Sequence, residues 1–144
     1  MQLSTARLRL RELQPSDAPF VLALVNEPAF IEFIGDRGMS TVADAERYIA
    51  EGPWRRPGAP GGGLNVVERL DSGEPLGICG LLKRDFLDHP DLGYAFLARQ
   101  HGQGYAHEAA TAVLRHARQD LELKTLHAIT AFRNPASVRI LRRL

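Results

Sequence analysis

The sequence predicts an α/β fold in which strands and helices share one domain over residues 1–144. Strand-like runs recur along the chain, a β-hairpin pattern lies at its centre, and a long run of helical period follows a strand-like run. A chain of 144 residues fits one domain, and a hydrophobic fraction of 44% is enough for one core.

The first third of the chain predicts one strand and two helices. Leu8 and Leu10 alternate with arginines, which indicates a half-buried strand at 6–13. Pro15-Ser16-Asp17 is typical of a helix start. Thr41 and Asp44 have the spacing of a capping box, so we expect a second helix that begins there and ends at Gly52.

Residues 53–63 predict a loop, because they contain three prolines and four glycines. A packed element is not expected in such a composition. Trp54, Arg55 and Arg56 lie within it. We expect them to belong to a solvent-exposed tether, and contact with a substrate is the alternative.

The rest of the chain predicts a hairpin, two further strands and two helices. Runs 64–70 and 76–82 flank the turn Asp71-Ser72-Gly73. Strands are expected at 91–98 and 125–132, the latter apolar on both faces. Asn134-Pro135 should start the last helix. Between the two strands a helical stripe is formed by Ala106, Ala109, Ala110, Val113, Leu114, Ala117 and Leu121.

The stretch 99–106, between strand and long helix, has the features of an anion site. Gly102 and Gly104 allow the backbone to approach a ligand closely. The first N–H groups of a helix lack partners and lie at its positive end, an arrangement that often binds phosphate. A turn without a ligand and a dinucleotide site are the alternatives. His107 stands where the dinucleotide fingerprint needs Gly or Ala, which disfavours the latter.

Three motifs resemble the GCN5-related N-acetyltransferase (GNAT) superfamily, and most closely its ribosomal-protein alanine N-acetyltransferase branch. They are Arg99-x-x-Gly102-x-Gly104-Tyr105-Ala106-x-Glu108-Ala109, Asp91-x-Gly93-Tyr94-x-Phe96-Leu97 and Asn134-x-x-Ser137-x-x-x-Leu141. The resemblance implies a mixed, mostly antiparallel central sheet flanked by helices. It also implies acetyl transfer from acetyl-coenzyme A to a primary amine, either a protein N-terminal α-amine or a small-molecule amine.

The resemblance assigns a coenzyme site around this loop. The pyrophosphate is expected on N–H groups 100–106, and the pantetheine arm along the end of the fourth family strand. The N–H of Leu97 is expected to stabilise the oxyanion formed on attack. Asn134 is expected to bind the pantetheine, although it is equally a helix cap. The implied coenzyme-binding residues are Phe96, Leu97, Ala98, Arg99, Gln100, Gly102, Gln103, Gly104, Tyr105, Ala106, Asn134 and Ser137.

The attacking amine must lose a proton, and its pKa decides how much help it needs. An α-amine with pKa ~8 costs about 1.4 kcal/mol to deprotonate at pH 7, whereas a lysine with pKa ~10.4 costs about 4.6 kcal/mol. A modest base therefore favours N-termini. The candidate bases are Asp91, where relatives often carry Glu, and His89. Leu141 occupies the place of the family's thiolate-protonating Tyr, for which Tyr94 and Tyr105 are alternatives.

Composition disfavours several other classes of function. A net charge of +1 gives no reason to expect nucleic acid or a membrane as partner. The single cysteine, Cys79, cannot form a disulfide within the chain, fits a reducing cytoplasm and is expected in the core. No metal is expected, because the spacing of His101, His107, His116 and His127 matches no zinc pattern.

The chain departs from the family pattern at its end. Relatives continue past the last helix with two more strands, whereas this sequence stops at Leu144. We expect that the sequence is truncated, or that another chain, such as a second copy in a homodimer, supplies the strands. The departure also leaves room for an alternative function, a non-catalytic acetyl-coenzyme A-binding module.

Overall fold

The computed structural model describes residues 2–55, 59–128 and 134–144, and it contains one sheet in the order β1-β2-β3-β4-β5-β6. Neighbouring strands are antiparallel except β5 and β6, which run parallel. This confirms the mixed, mostly antiparallel sheet. The strands are β1 (Leu3–Ser4), β2 (Leu8–Glu12), β3 (Leu64–Arg69), β4 (Pro75–Leu82), β5 (Asp91–Phe96) and β6 (His127–Ala128). The remainder of the strand predicted at 125–132 falls partly outside the described residues.

Five helices accompany the sheet in the described ranges, and the two predicted caps are confirmed. The Asp44 N–H donates to the Thr41 hydroxyl, and the Thr41 N–H donates to the Asp44 carboxylate. The Asn134 side-chain oxygen accepts from the Ser137 N–H. The sequence did not predict α2, which is too short to show a helical period. The helices are α1 (Ala18–Val25), α2 (Pro28–Phe33), α3 (Val42–Glu51), α4 (Tyr105–Gln119) and α5 (Pro135–Arg143).

Each face of the sheet carries its own apolar core. On the α1/α3 face, Val21 and Ile49 pack with Val66 of β3. On the α4 face, Val113 packs with Leu10 and other buried side chains. Strand β5 contributes to both cores, because its side chains alternate: Ala95 faces α1/α3, and Tyr94 and Phe96 face α4. The strand that precedes the glycine-rich loop is therefore held from both sides.

The expectation of an exposed tether at 53–63 is wrong for Trp54 and Arg55. A 3₁₀ turn at Pro53–Arg55 brings Trp54 into the α1/α3 core, where the indole is 4% exposed and meets the Tyr48 ring edge-on. Arg55 pairs with Glu12 at 2.9 Å. Burial of a large aromatic surface outweighs the loop-forming composition around it. Arg56 lies outside the described residues.

A buried ion-pair cluster joins β2, β3 and the turn before α1. The Arg11 guanidinium donates to both Asp17 oxygens at 2.8 and 2.9 Å and to the Glu68 carboxylate at 2.9 Å. Both carboxylates are buried. Burial acts to raise the pKa of the Asp17 carboxyl, but the hydrogen bonds from Arg11 and from the Gln14 N–H bring it below its usual value.

This cluster predicts an acid-sensitive contribution to stability. Because the pKa of Asp17 is lower in the folded than in the unfolded chain, the carboxylate stabilises the fold above about pH 4. That contribution is lost as the pH falls through the pKa that Asp17 has in the folded chain. Urea unfolding between pH 7 and pH 3 measures it. In Asp17→Asn the free energy of unfolding should fall less between pH 7 and pH 3 than in the wild type. An unchanged fall would contradict the assignment of this contribution to Asp17.

Candidate functional site

The loop that follows β5 has the geometry that its glycines predicted. A 3₁₀ turn at Ala98–Gln100 leads to Gly102 and Gly104, whose φ angles of 77° and 82° lie in the left-handed region that favours glycine. Gly104 is the N-cap of α4, a helix of 15 residues. Strand, glycine-rich turn and helix start therefore follow one another as the sequence indicated.

The N–H groups of this loop that have no acceptor begin at residue 102, whereas residue 100 was expected. The Gln100 N–H donates to the Leu97 carbonyl at 2.8 Å, and the His101 N–H donates to the Ala98 carbonyl at 3.1 Å. Within the described ranges, the N–H groups of 102–107 have no acceptor. The candidate cradle for an anion is therefore 102–107 rather than 100–106, and it includes Gln103, Tyr105 and Ala106.

The first turn of α4 is fastened to the start of β2. The Glu108 carboxylate accepts from the Thr5 hydroxyl, the Arg7 N–H and the Arg7 guanidinium. That guanidinium also lies 4.5 Å from the centre of the Tyr105 ring. Burial acts to raise the pKa of Glu108, but these hydrogen bonds lower it overall. These contacts hold the end of the loop against the residues that precede β2. Arg99, in contrast, is exposed, and its guanidinium makes a long contact of 3.9 Å with the Glu74 carboxylate.

The outer edge of β5 is the edge that faces away from β4. The N–H of Leu97, which was expected to bind the oxyanion, does not lie on it. The Leu97 N–H donates to the Leu76 carbonyl at 3.0 Å and therefore faces β4. Backbone groups alternate along a strand, so those of Tyr94 and Phe96 face away from β4. The bond from the His127 N–H to the Pro90 carbonyl, on the β6 side, agrees with this alternation. The geometry therefore contradicts an oxyanion role for the Leu97 N–H, and within the described residues the Phe96 N–H has no acceptor and could serve instead.

Two side chains reach the same edge close to the loop. The Ala98 N–H donates to the Glu27 carboxylate at 2.8 Å. His101 Nε2 lies 2.9 Å from the Phe96 carbonyl. Reasoning from the sequence missed Glu27. Its position before Pro28 resembles a helix cap, but its side chain makes no cap hydrogen bond.

The candidate bases lie at the opposite end of β5. Asp91 is 1% exposed, and its carboxylate accepts from the Arg84 guanidinium at 2.9 Å. His89 is exposed in the preceding loop, with its ring 5.7 Å from that of His127. Asp91 and His89 are therefore neighbours in space, but the charge of Asp91 is already balanced by a cation.

Strand β5 and helix α5 meet through a pair of hydroxyl groups. The Tyr94 hydroxyl lies 2.8 Å from the Ser137 hydroxyl, and burial raises the pKa of Tyr94. The Asn134 side-chain oxygen serves as the cap of α5, which leaves its amide group for another partner. Cys79 is fully buried, and burial raises the pKa of its thiol to about 12. It is a core residue, as expected.

Two other features that would suggest a different function are a metal-ion site and a membrane-spanning helix, and neither is found in the described residues. No three His, Cys, Asp or Glu side chains in those ranges are grouped as a metal ion would require. None of the helices in the same ranges is both long and apolar enough to cross a membrane.

Comparisons with known proteins identify the family of the chain. Residues 7–144 match the model of the acetyltransferase (GNAT) domain. The chain is 27% identical to the uncharacterized protein YkkB of Bacillus subtilis (strain 168), over 96% of this chain and 81% of that protein. An acetyltransferase from Agrobacterium tumefaciens str. C58 is 26% identical, with a TM-score of 0.81 over 99% of this chain and 81% of that one. The ribosomal-protein-S5-alanine acetyltransferase of Vibrio fischeri, at 16% identity, shares the fold with a TM-score of 0.80 over 100% of this chain and 81% of that one.

Proposed function

The chain belongs to the GNAT acetyltransferase family, and from that premise we propose that it transfers an acetyl group from acetyl-coenzyme A to a primary amine. The acceptor is a protein N-terminal α-amine or a small-molecule amine, which attacks directly in a ternary complex. The observation that carries this proposal is the set of free N–H groups at 102–107, at the end of a strand whose outer edge offers the Phe96 N–H.

The coenzyme has a natural path along these donors. Its pyrophosphate would lie on the N–H groups of 102–107 at the positive end of α4. Its pantetheine arm would then run along the outer edge of β5, beside Tyr94 and Phe96, like an added strand. The Phe96 N–H would donate to the thioester oxygen as negative charge develops on it. In comparable sites one such donor contributes about 3 kcal/mol to the rate.

The acceptor is expected to be an amine that is easily deprotonated. An α-amine needs little help at neutral pH, as its ordinary pKa of ~8 implies. The name of the Vibrio fischeri protein adds a reason to test peptides with N-terminal alanine first. A small polyamine and a lysine-containing peptide with a blocked N-terminus complete the panel.

Release of free thiol from acetyl-coenzyme A is the direct test. Thiol should appear only when an amine is added, and mass spectrometry should find the acetyl group on that amine. Coenzyme A should raise the melting temperature of the protein, and NAD should not. Stabilisation without thiol release across the panel would support the alternative, a non-catalytic acetyl-coenzyme A-binding module. The Asp91–Arg84 ion pair favours that alternative, because it ties up an expected base.

The Tyr94 hydroxyl is the proposed proton donor to the departing thiolate. Tyr94→Phe keeps the ring in the α4 core and removes only the hydroxyl that meets Ser137. We expect kcat to fall about tenfold or more, with little change in coenzyme affinity. Tyr48→Phe is the matched control, because Tyr48 is also partly buried but lies on the opposite face of the sheet, where it packs on Trp54. An unchanged kcat in Tyr94→Phe would mean that the thiolate leaves unaided.

A further inference from the structure

Glu27 makes a contact that its place in the sequence does not explain. It directly precedes α2, where a side chain usually caps the helix, yet it makes no such bond. Its carboxylate instead accepts from the Ala98 N–H at 2.8 Å, across the space between the α1–α2 connection and the end of β5. A residue from the α1/α3 face thus reaches the strand edge proposed for the coenzyme.

This contact places the carboxylate within two residues of Phe96, whose N–H is proposed to bind the thioester oxygen. Ala98 follows Phe96, the last residue of β5, by two positions, so the chain keeps their N–H groups within roughly 7 Å of each other. Glu27 approaches this end of β5 from the α1/α3 face, whereas Tyr94 belongs to the α4 core. An acceptor that enters on the α1/α3 face would therefore pass close to Glu27.

The charge of Glu27 has no counterpart in the described ranges. No cation pairs with its carboxylate there, and only one of its oxygens has a hydrogen-bond donor. The proposed pyrophosphate would bring further negative charge to the same corner, which disfavours an unpaired carboxylate. A protonated amine is the cation that the reaction itself brings. Asp91 differs in this respect, because Arg84 already balances its charge.

We propose that Glu27 binds the ammonium group of the acceptor and takes its proton. This inference rests on the proposed acetyl transfer. The ammonium gives one proton to the carboxylate, and the neutral nitrogen forms a bond with the thioester carbon. The carbon–sulfur bond then breaks, the thiolate takes the proton of the Tyr94 hydroxyl, and Tyr94 recovers the second proton lost by the nitrogen. Glu27 returns its own proton to water, so the overall reaction yields the amide, free coenzyme A and one proton.

Two substitutions separate this role from that of a structural contact. Glu27→Gln keeps an oxygen that can accept from the Ala98 N–H and removes only the charge. Glu27→Ala removes both. We expect kcat/KM for the amine to fall at least about 100-fold in both variants, with less than about a twofold change in coenzyme affinity. Glu27→Asp should recover part of the activity.

Glu32→Gln is the matched control, because Glu32 is an exposed carboxylate on α2, the helix that Glu27 directly precedes. It should leave kcat/KM unchanged. If Glu27→Gln kept the wild-type kcat/KM for the amine and Glu27→Ala lost it, the inference would be overturned. Glu27 would then act only as a structural contact to the Ala98 N–H. Coenzyme binding without any wild-type turnover would overturn the proposed acetyl transfer itself, and with it this role of Glu27.

Discussion

Replacing Gly104 with leucine is expected to abolish detectable coenzyme A binding and acetyl transfer while the protein still folds. Gly104 has a φ of 82° at the N-cap of α4, where a side chain costs roughly 1–2 kcal/mol. Relief of that strain would rotate the peptide groups on either side and turn the neighbouring N–H groups away from a common anion. Calorimetric titration with coenzyme A measures the loss.

Gly73→Leu is the control for backbone strain. Gly73 has a φ of 75° in the turn between β3 and β4, with open space around its Cβ position. It should lose a similar amount of stability and keep its affinity for the coenzyme. Binding in Gly104→Leu within about threefold of the wild type would contradict a phosphate cradle in this loop.

Arg11→Ala is expected to have the largest effect on stability, about 3–5 kcal/mol. The substitution removes the guanidinium that donates to Asp17 and to Glu68, and leaves two buried carboxylates without their main partner. Such groups must either be protonated or draw water into the structure, and both are costly. Urea unfolding at pH 7 measures the loss.

Arg9→Ala is the matched control on the same strand. Arg9 is more exposed and reaches Glu68 only at 3.4 Å, so its removal should cost less than about 1 kcal/mol. Equal losses in the two variants would mean that burial of the carboxylates does not set the cost. Double substitution of Arg11 and Asp17 should lose less than the sum of the single changes, because they share one interaction.

The elements that could be predicted from the sequence depend on neighbours along the chain. The β3–β4 hairpin follows from two apolar runs around one turn, and α4 from a stripe that repeats every three or four residues. The capping box at Thr41 and the glycine-rich loop are equally local. Trp54 is the exception, because its burial depends on Tyr48 and a core assembled from distant segments.

The family and the loop at 102–104 can be recognised from the amino-acid sequence alone, because motif residues, glycine spacing and a helix start are properties of nearby positions in the chain. The three-dimensional arrangement sets which N–H groups face the outer edge of β5, since that depends on the register with β4. It also decided that Asp91 pairs with Arg84 and that Glu27 meets Ala98. Strand register and long-range contacts arise from packing the whole sheet, and no local pattern encodes them.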